Sequence, residues 1–201
     1  MQSFSEIDTT SKRASKAAGF SWGVAEEIGK AVRSLELIGL PGITNLHWYL
    51  KKIKKNHPEK INKIDKENRK KESCPIYCGV AFLDQCKHIQ DFKTIKFYNI
   101  NYPILMLPFI NKSSEILGKR ILVQFNKSSF LLNFNKSILT KNVDKQIEIM
   151  ANEINIEFLE NKNSFSDQEW KELYKLSEET FVEESDSLKA KGAGAGLTDN
   201  D

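Results

Sequence analysis

Apolar positions recur at helical spacing through the first quarter of the chain and at shorter, strand-like spacing after it. Over residues 22–38, Val24, Ile28, Ala31, Val32 and Leu35 fall three or four apart, which predicts a helix closed by Gly39 and Pro41. Ahead of it, Ser3 and Glu6 form an S-x-x-E capping box, so a first helix is expected from there to about Ala18, with Gly19 as its terminator. A third helix over 43–55 would bury Ile43, Leu46, Leu50 and Ile53, with Trp48 and Tyr49 flanking that stripe.

The segment 56–73 is lysine-rich, contains Pro58 and offers only Ile61 and Ile64 for burial, so it reads as a solvated connector. Beyond it the period shortens toward two. Strands are expected over 76–83, 94–100 and 104–107, followed by a helix opening at Pro108 and ending at Gly118. Residues 120–125 and 129–134 read as a hairpin about Asn126-Lys127-Ser128, and 147–150 and 154–159 as two more strands. A last helix begins at the Ser166/Glu169 capping box, with Trp170, Leu173, Leu176 and Phe181 as its apolar face. Locally paired strands with helices at the ends predict an α+β fold, an N-terminal helical unit followed by an antiparallel-rich sheet with flanking helices. The expected divisions are a helical unit at 1–56, a connector at 57–73, an α+β domain at 74–185 and a glycine-rich acidic tail at 186–201.

The formal charge of +3 conceals a polarity along the chain. Ten basic residues face three acids between Lys51 and Lys71, whereas ten acids face four lysines from Ser166 to the end. The basic stretch has a single guanidinium, Arg69, and lacks interleaved aromatics for base stacking, so a nucleic-acid partner is not favoured. The longest apolar run, 102–110, is nine residues with two prolines, against roughly 20 needed to span a bilayer. No membrane partner is expected. Glu6 and Asp8 stand where a signal peptide would be basic, and three cysteines are too few for a secreted framework, so a bacterial cytoplasm is the expected compartment.

The stretches GFSWGVAEEIGKAVR and GLPG, the CPIYCGVAFLD and YPILMLPF segments, and the terminal GAGAGLTDND carry a resemblance. Together they resemble an uncharacterised proteobacterial domain-of-unknown-function family of small proteins with such a tail. The resemblance implies no activity and brings no functional residues with it.

Four soft side chains, Cys74, Cys78, Cys86 and His88, read as C-x3-C-x7-C-x-H. On the expected strand, Cys74 and Cys78 would lie about 13 Å apart, so they read as core thiols and no metal or cofactor is expected. A cysteine nucleophile at Cys74 or Cys78 would need a base such as His47, His57 or His88 within reach, and no hydrolase signature surrounds them. The lysines at 189 and 191 precede the glycine repeat, the reverse of a phosphate-cradling loop. Two site expectations follow. One is a docking tail, in which Gly192, Gly194 and Gly196 permit close approach, Leu197 anchors, and Asp199 and Asp201 meet a cationic recess. The other is a site at the junction of the helical and β-rich parts, built from His47, Trp48, Cys74 and Asp84. The tail favours a non-catalytic accessory or small-ligand-binding protein with a protein or small-molecule partner. A small cytoplasmic enzyme using the junction is the alternative.

Overall fold

A computed structural model describes residues 2–54, 56, 60–133, 137–141, 149–160 and 162–180. Three helices open the chain: α1 (Phe4–Ala17), α2 (Trp22–Leu37) and α3 (Gly42–Ile53). Ser3 caps α1 in the expected box, its side chain accepting from the Glu6 amide while the Glu6 carboxylate accepts from the Ser3 amide. At the end of α2, Gly39 takes φ +77°, and the Gly39 and Leu40 amides donate back to Glu36 and Leu35. That is a Schellman closure, in which glycine adopts the left-handed backbone without steric cost. Helices α1 and α2 approach closely because α2 has Gly29 at the crossing: a Cβ there would stand 2.6 Å from Asp8 Oδ1.

The connector contains a two-residue strand, β1 (Glu67–Asn68), and leads into helix α4 (Pro75–Ile89). This corrects the strand expected over 76–83. Pro75 sits at the first helical turn, and the Cys74 sulfur accepts the Tyr77 amide at 3.4 Å as an N-cap. Helix α4 buries Ile76, Cys78, Gly79, Ala81, Phe82, Cys86 and Ile89, so apolar side chains occupy most of its circumference. Burial on so wide an arc erases the helical period and leaves a pattern that imitates alternation.

The sheet then assembles from β2 (Thr94–Asn101), β3 (Ile121–Phe125), β4 (Ser128–Asn133), β5 (Ser137–Lys141) and β6 (Met150–Phe158), in the order β1-β2-β6-β3-β4-β5. Among the described residues, every pairing between these strands is antiparallel except β1 with β2. The expected β2 and the β3–β4 hairpin are present. The expected strand over 104–107 is instead a 3-10 turn (Pro103–Met106) entering α5 (Leu107–Leu117), where Pro103 and Pro108 favour helical starts. Strand β6 covers most of the strand expected at 154–159 and takes in Met150; residues 147 and 148 of the other expected strand lie outside the described residues, and β5 was not foreseen.

The chain divides into two units, Met1–Asn161 and Lys162–Asp201. In the first, α1–α3 share one core with the sheet and its helices, so the segment 1–56 has no separate interior. Phe82 on α4 stacks on Phe158 at 5.8 Å and tilts against Phe97, tying helix to sheet. In the second unit, α6 (Asp167–Glu178) starts at the expected Ser166/Glu169 capping box, and its Trp170, Leu173 and Leu176 are exposed.

Candidate functional site

Helix α1 buries Ile7, Ser11 and Ser15, and α3 buries Leu46, Tyr49 and Ile53. Between the two helices remains a cleft of about 620 Å³, within the range of small-molecule sites. Its apolar lining is Ile7, Ala14, Ile43, Leu46 and Leu50. Gln2, Glu6, Thr10, Ser11, His47 and Lys51 supply the polar contacts. The Glu6 carboxylate is held ionised, its pKa lowered by hydrogen bonds from the Ser3 amide and hydroxyl. Lys51 and His47 belong to α3, a helix without a single acidic residue. The Lys51 ammonium lies 5.2 Å from the Trp48 ring, and the His47 and Trp48 rings meet edge to face at 5.4 Å.

A second polar assembly lies where α3 meets the end of β2. The Tyr49 hydroxyl donates to the Cys74 sulfur at 2.7 Å, and the Tyr49 and Tyr102 rings meet edge to face. One turn further along α3, Lys52 pairs with Glu72 at 2.8 Å and donates to Asn101, whose own amide donates to Glu72 at 2.7 Å. Tyr102 and Asn99 both hold left-handed backbone, at φ +46° and +53°. Burial pushes the Cys74 thiol up to about 11, and burial likewise raises Tyr49, Cys78 and Cys86. A protonated thiol is a poor nucleophile. Every member of the Lys52–Glu72–Asn101 triangle bonds to the other two, an arrangement that locks α3 to the sheet.

The residues expected at the junction occupy different surroundings. Cys74 is buried under Tyr49, His47 lines the α1–α3 cleft, Trp48 is half-exposed beside it, and Asp84 is exposed on α4. The partner that reaches Cys74 is Tyr49, the neighbour of the expected pair. Its signal was available, since Tyr49 follows Leu46 by three positions and precedes Ile53 by four, on the buried stripe. Cys86 is buried and His88 exposed, and among the described residues no three His, Cys, Asp or Glu side chains are grouped to hold a metal. Among them too, no helix is long and apolar enough to cross a membrane. His57 and the tail residues Gly192, Gly194, Gly196, Leu197, Asp199 and Asp201 lie outside the described residues.

A further groove of about 490 Å³ runs between α2 and α5. Its charges are mostly committed to each other, with Glu27 between Lys30 and Lys112 and Arg33 beside Asp8. The α1–α3 cleft is the better candidate, because it combines five apolar side chains with polar ones that include the Lys51 ammonium and the Glu6 carboxylate.

No curated protein and no solved structure matches the chain. Every residue lining the α1–α3 cleft falls between Gln2 and Lys51. GFSWGVAEEIGKAVR and GLPG fall before Cys74, while the tail and the other quoted stretches fall beyond it except for Cys74 itself. Residues 2–74, which include the whole cleft, match the family model described as protein of unknown function (DUF3726).

Proposed function

We propose that this is a non-catalytic accessory protein that binds a small apolar ligand carrying an anionic group in the α1–α3 cleft. The observation that carries the reading is the cleft itself: an apolar lining, about 620 Å³ of space, and Lys51 and His47 at its rim. Ile7 and Leu46 form its buried floor, and the ligand's acid group would meet the Lys51 ammonium through a charge-assisted hydrogen bond. The tail adds a partner contact, with Leu197 as apolar anchor and Asp199 and Asp201 directed to a cationic recess on that partner. The three cysteines are free, which supports a reducing compartment such as a bacterial cytoplasm.

The test is a calorimetric titration of the full chain with dodecanoate. Binding should saturate at one ligand per chain, disappear in Ala14→Trp, where the indole fills the cleft from an exposed position, and weaken about tenfold in Lys51→Ala. Equal binding by the native protein and Ala14→Trp, with unchanged circular dichroism, would remove the cleft from the account.

A further inference from the structure

Residues 60–71 carry six cations, Lys60, Lys63, Lys66, Arg69, Lys70 and Lys71, against two acids, Asp65 and Glu67. The fold braces this loop. Gln85 on α4 accepts from the Ile64 amide and donates to the Asn62 carbonyl, and β1 pairs with β2. The Asn99 side chain donates to the Lys70 carbonyl, and the Lys70 ammonium reaches the Lys60 carbonyl at 3.2 Å, tying the two ends of the loop together. Both acids are engaged within it, Asp65 by Lys63 and Glu67 by Arg69. Among the described residues, Lys60, Lys66 and Lys71 have no ion pair.

No aromatic side chain occurs in this stretch of the sequence, yet three stand beside it in the fold. The Lys60 ammonium lies 5.5 Å from the Tyr77 ring centre, the Lys66 ammonium 6.0 Å from that of Phe92, and the Arg69 guanidinium carbon 4.0 Å from that of Tyr98. Tyr77 and Phe92 mark opposite ends of α4, roughly 20 Å apart at helical rise. Arg69 is the most firmly held of these cations: Nε and Nη2 both donate to Glu67, and Nη2 donates to the Tyr98 hydroxyl as well. Its side chain is nonetheless 66% exposed. A guanidinium fixed over a ring and open to solvent offers its plane to an unstacked base, without the entropy cost of first ordering the side chain. We propose that residues 60–71 form a binding face for single-stranded nucleic acid, with a base stacked on Arg69 and phosphates met by Lys60, Lys66 and Lys71. An anionic bilayer fits less well, because among the described residues none of the large exposed apolar side chains falls between 60 and 98 to enter lipid. The face is separate from the α1–α3 cleft, and neither proposal depends on the other.

Fluorescence anisotropy of the full chain with fluorescein-labelled oligo(U) and oligo(dT) tests this. Binding should have a micromolar Kd at about 50 mM salt and weaken about twentyfold at about 200 mM, as expected when three phosphates of a single strand are neutralised. Lys66→Ala/Lys71→Ala should flatten that salt dependence. Arg69→Ala should weaken binding about tenfold with unchanged circular dichroism. Arg69→Lys keeps the charge and removes the plane, so it should lose affinity several-fold for the oligonucleotides and none for inorganic polyphosphate. Saturable binding of either oligonucleotide with this pattern supports the proposal, and a difference between the two assigns the preferred sugar. No binding by about 100 µM chain at low salt would overturn it, since that is the weak end of nonspecific affinity. So would Arg69→Ala binding as the native chain does, or polyphosphate or phosphatidylglycerol vesicles binding as tightly as the oligonucleotides.

Discussion

Tyr49 and Glu72 show how single residues fasten the N-terminal helices to the sheet. The Tyr49 hydroxyl is buried and donates to Cys74, so Tyr49→Phe should lower the unfolding free energy by about 1 kcal/mol in urea titrations. A change near zero would mean that the sulfur contributes no more than packing there. Glu72 has its pKa lowered, first by the hydrogen bond from Lys52 and then by that from Asn101, against partial burial. A carboxylate lowered in the folded state stabilises above its unfolded pKa, and the contribution is lost as pH falls through the folded value. Glu72→Gln should therefore be less stable than the native protein at neutral pH, by about 0.5 kcal/mol since the pair is half-exposed. The difference should shrink as pH drops below the ordinary carboxylate range, and a difference constant from pH 7 to pH 3 would contradict the assignment. At this scale the sequence was legible: Cys74 was recognisable as a core thiol, and the phase of α3 set by Leu46 and Ile53 turns Tyr49 rather than its neighbour Trp48 inward.

Among the elements, legibility followed the number of faces buried. Helices α1 and α2, and the hairpin of β3 and β4, bury one face each and carry end signals, so period and caps agreed. Helix α4 is buried over most of its surface, and its period was lost; the remaining signal was Pro75, which suits a first helical turn. The tightest evidence for α4 as a helix is Gly79, where a Cβ would stand 2.5 Å from Phe109 Cδ2 on α5. In a solvent-facing helix, glycine to alanine gains about 1 kcal/mol. Here Gly79→Ala should instead lose about 1–3 kcal/mol through overpacking, measured by thermal or urea unfolding. A stabilised variant would mean that α4 and α5 do not pack at this crossing. The strand-based spacing of Cys74 and Cys78 also disappears, since both belong to the first turns of one helix.

For the whole molecule, the sequence identified the α+β class, but the strand period expected directly after the connector begins only at β2, beyond α4. The sequence did not reveal that α1–α3 share a core with the sheet, because Phe20 meets Tyr77 and Tyr49 meets Cys74 and Tyr102, partners far along the chain that no local pattern encodes. Nor could it reveal the α1–α3 cleft, which depends on two helices separated by a third. Of its lining only His47 had been singled out as a site residue. The two polar assemblies now divide the functional readings: the cleft for ligand binding, and the Tyr49–Cys74 junction for fastening the fold. Hydrogen–deuterium exchange of the full chain with and without dodecanoate distinguishes them directly. The account predicts slower exchange on binding in peptides covering residues 2–14 and 43–51, with 72–78 and 99–102 unchanged. Protection at 72–78 and 99–102 with none at 2–14 would contradict it and move the site to the junction.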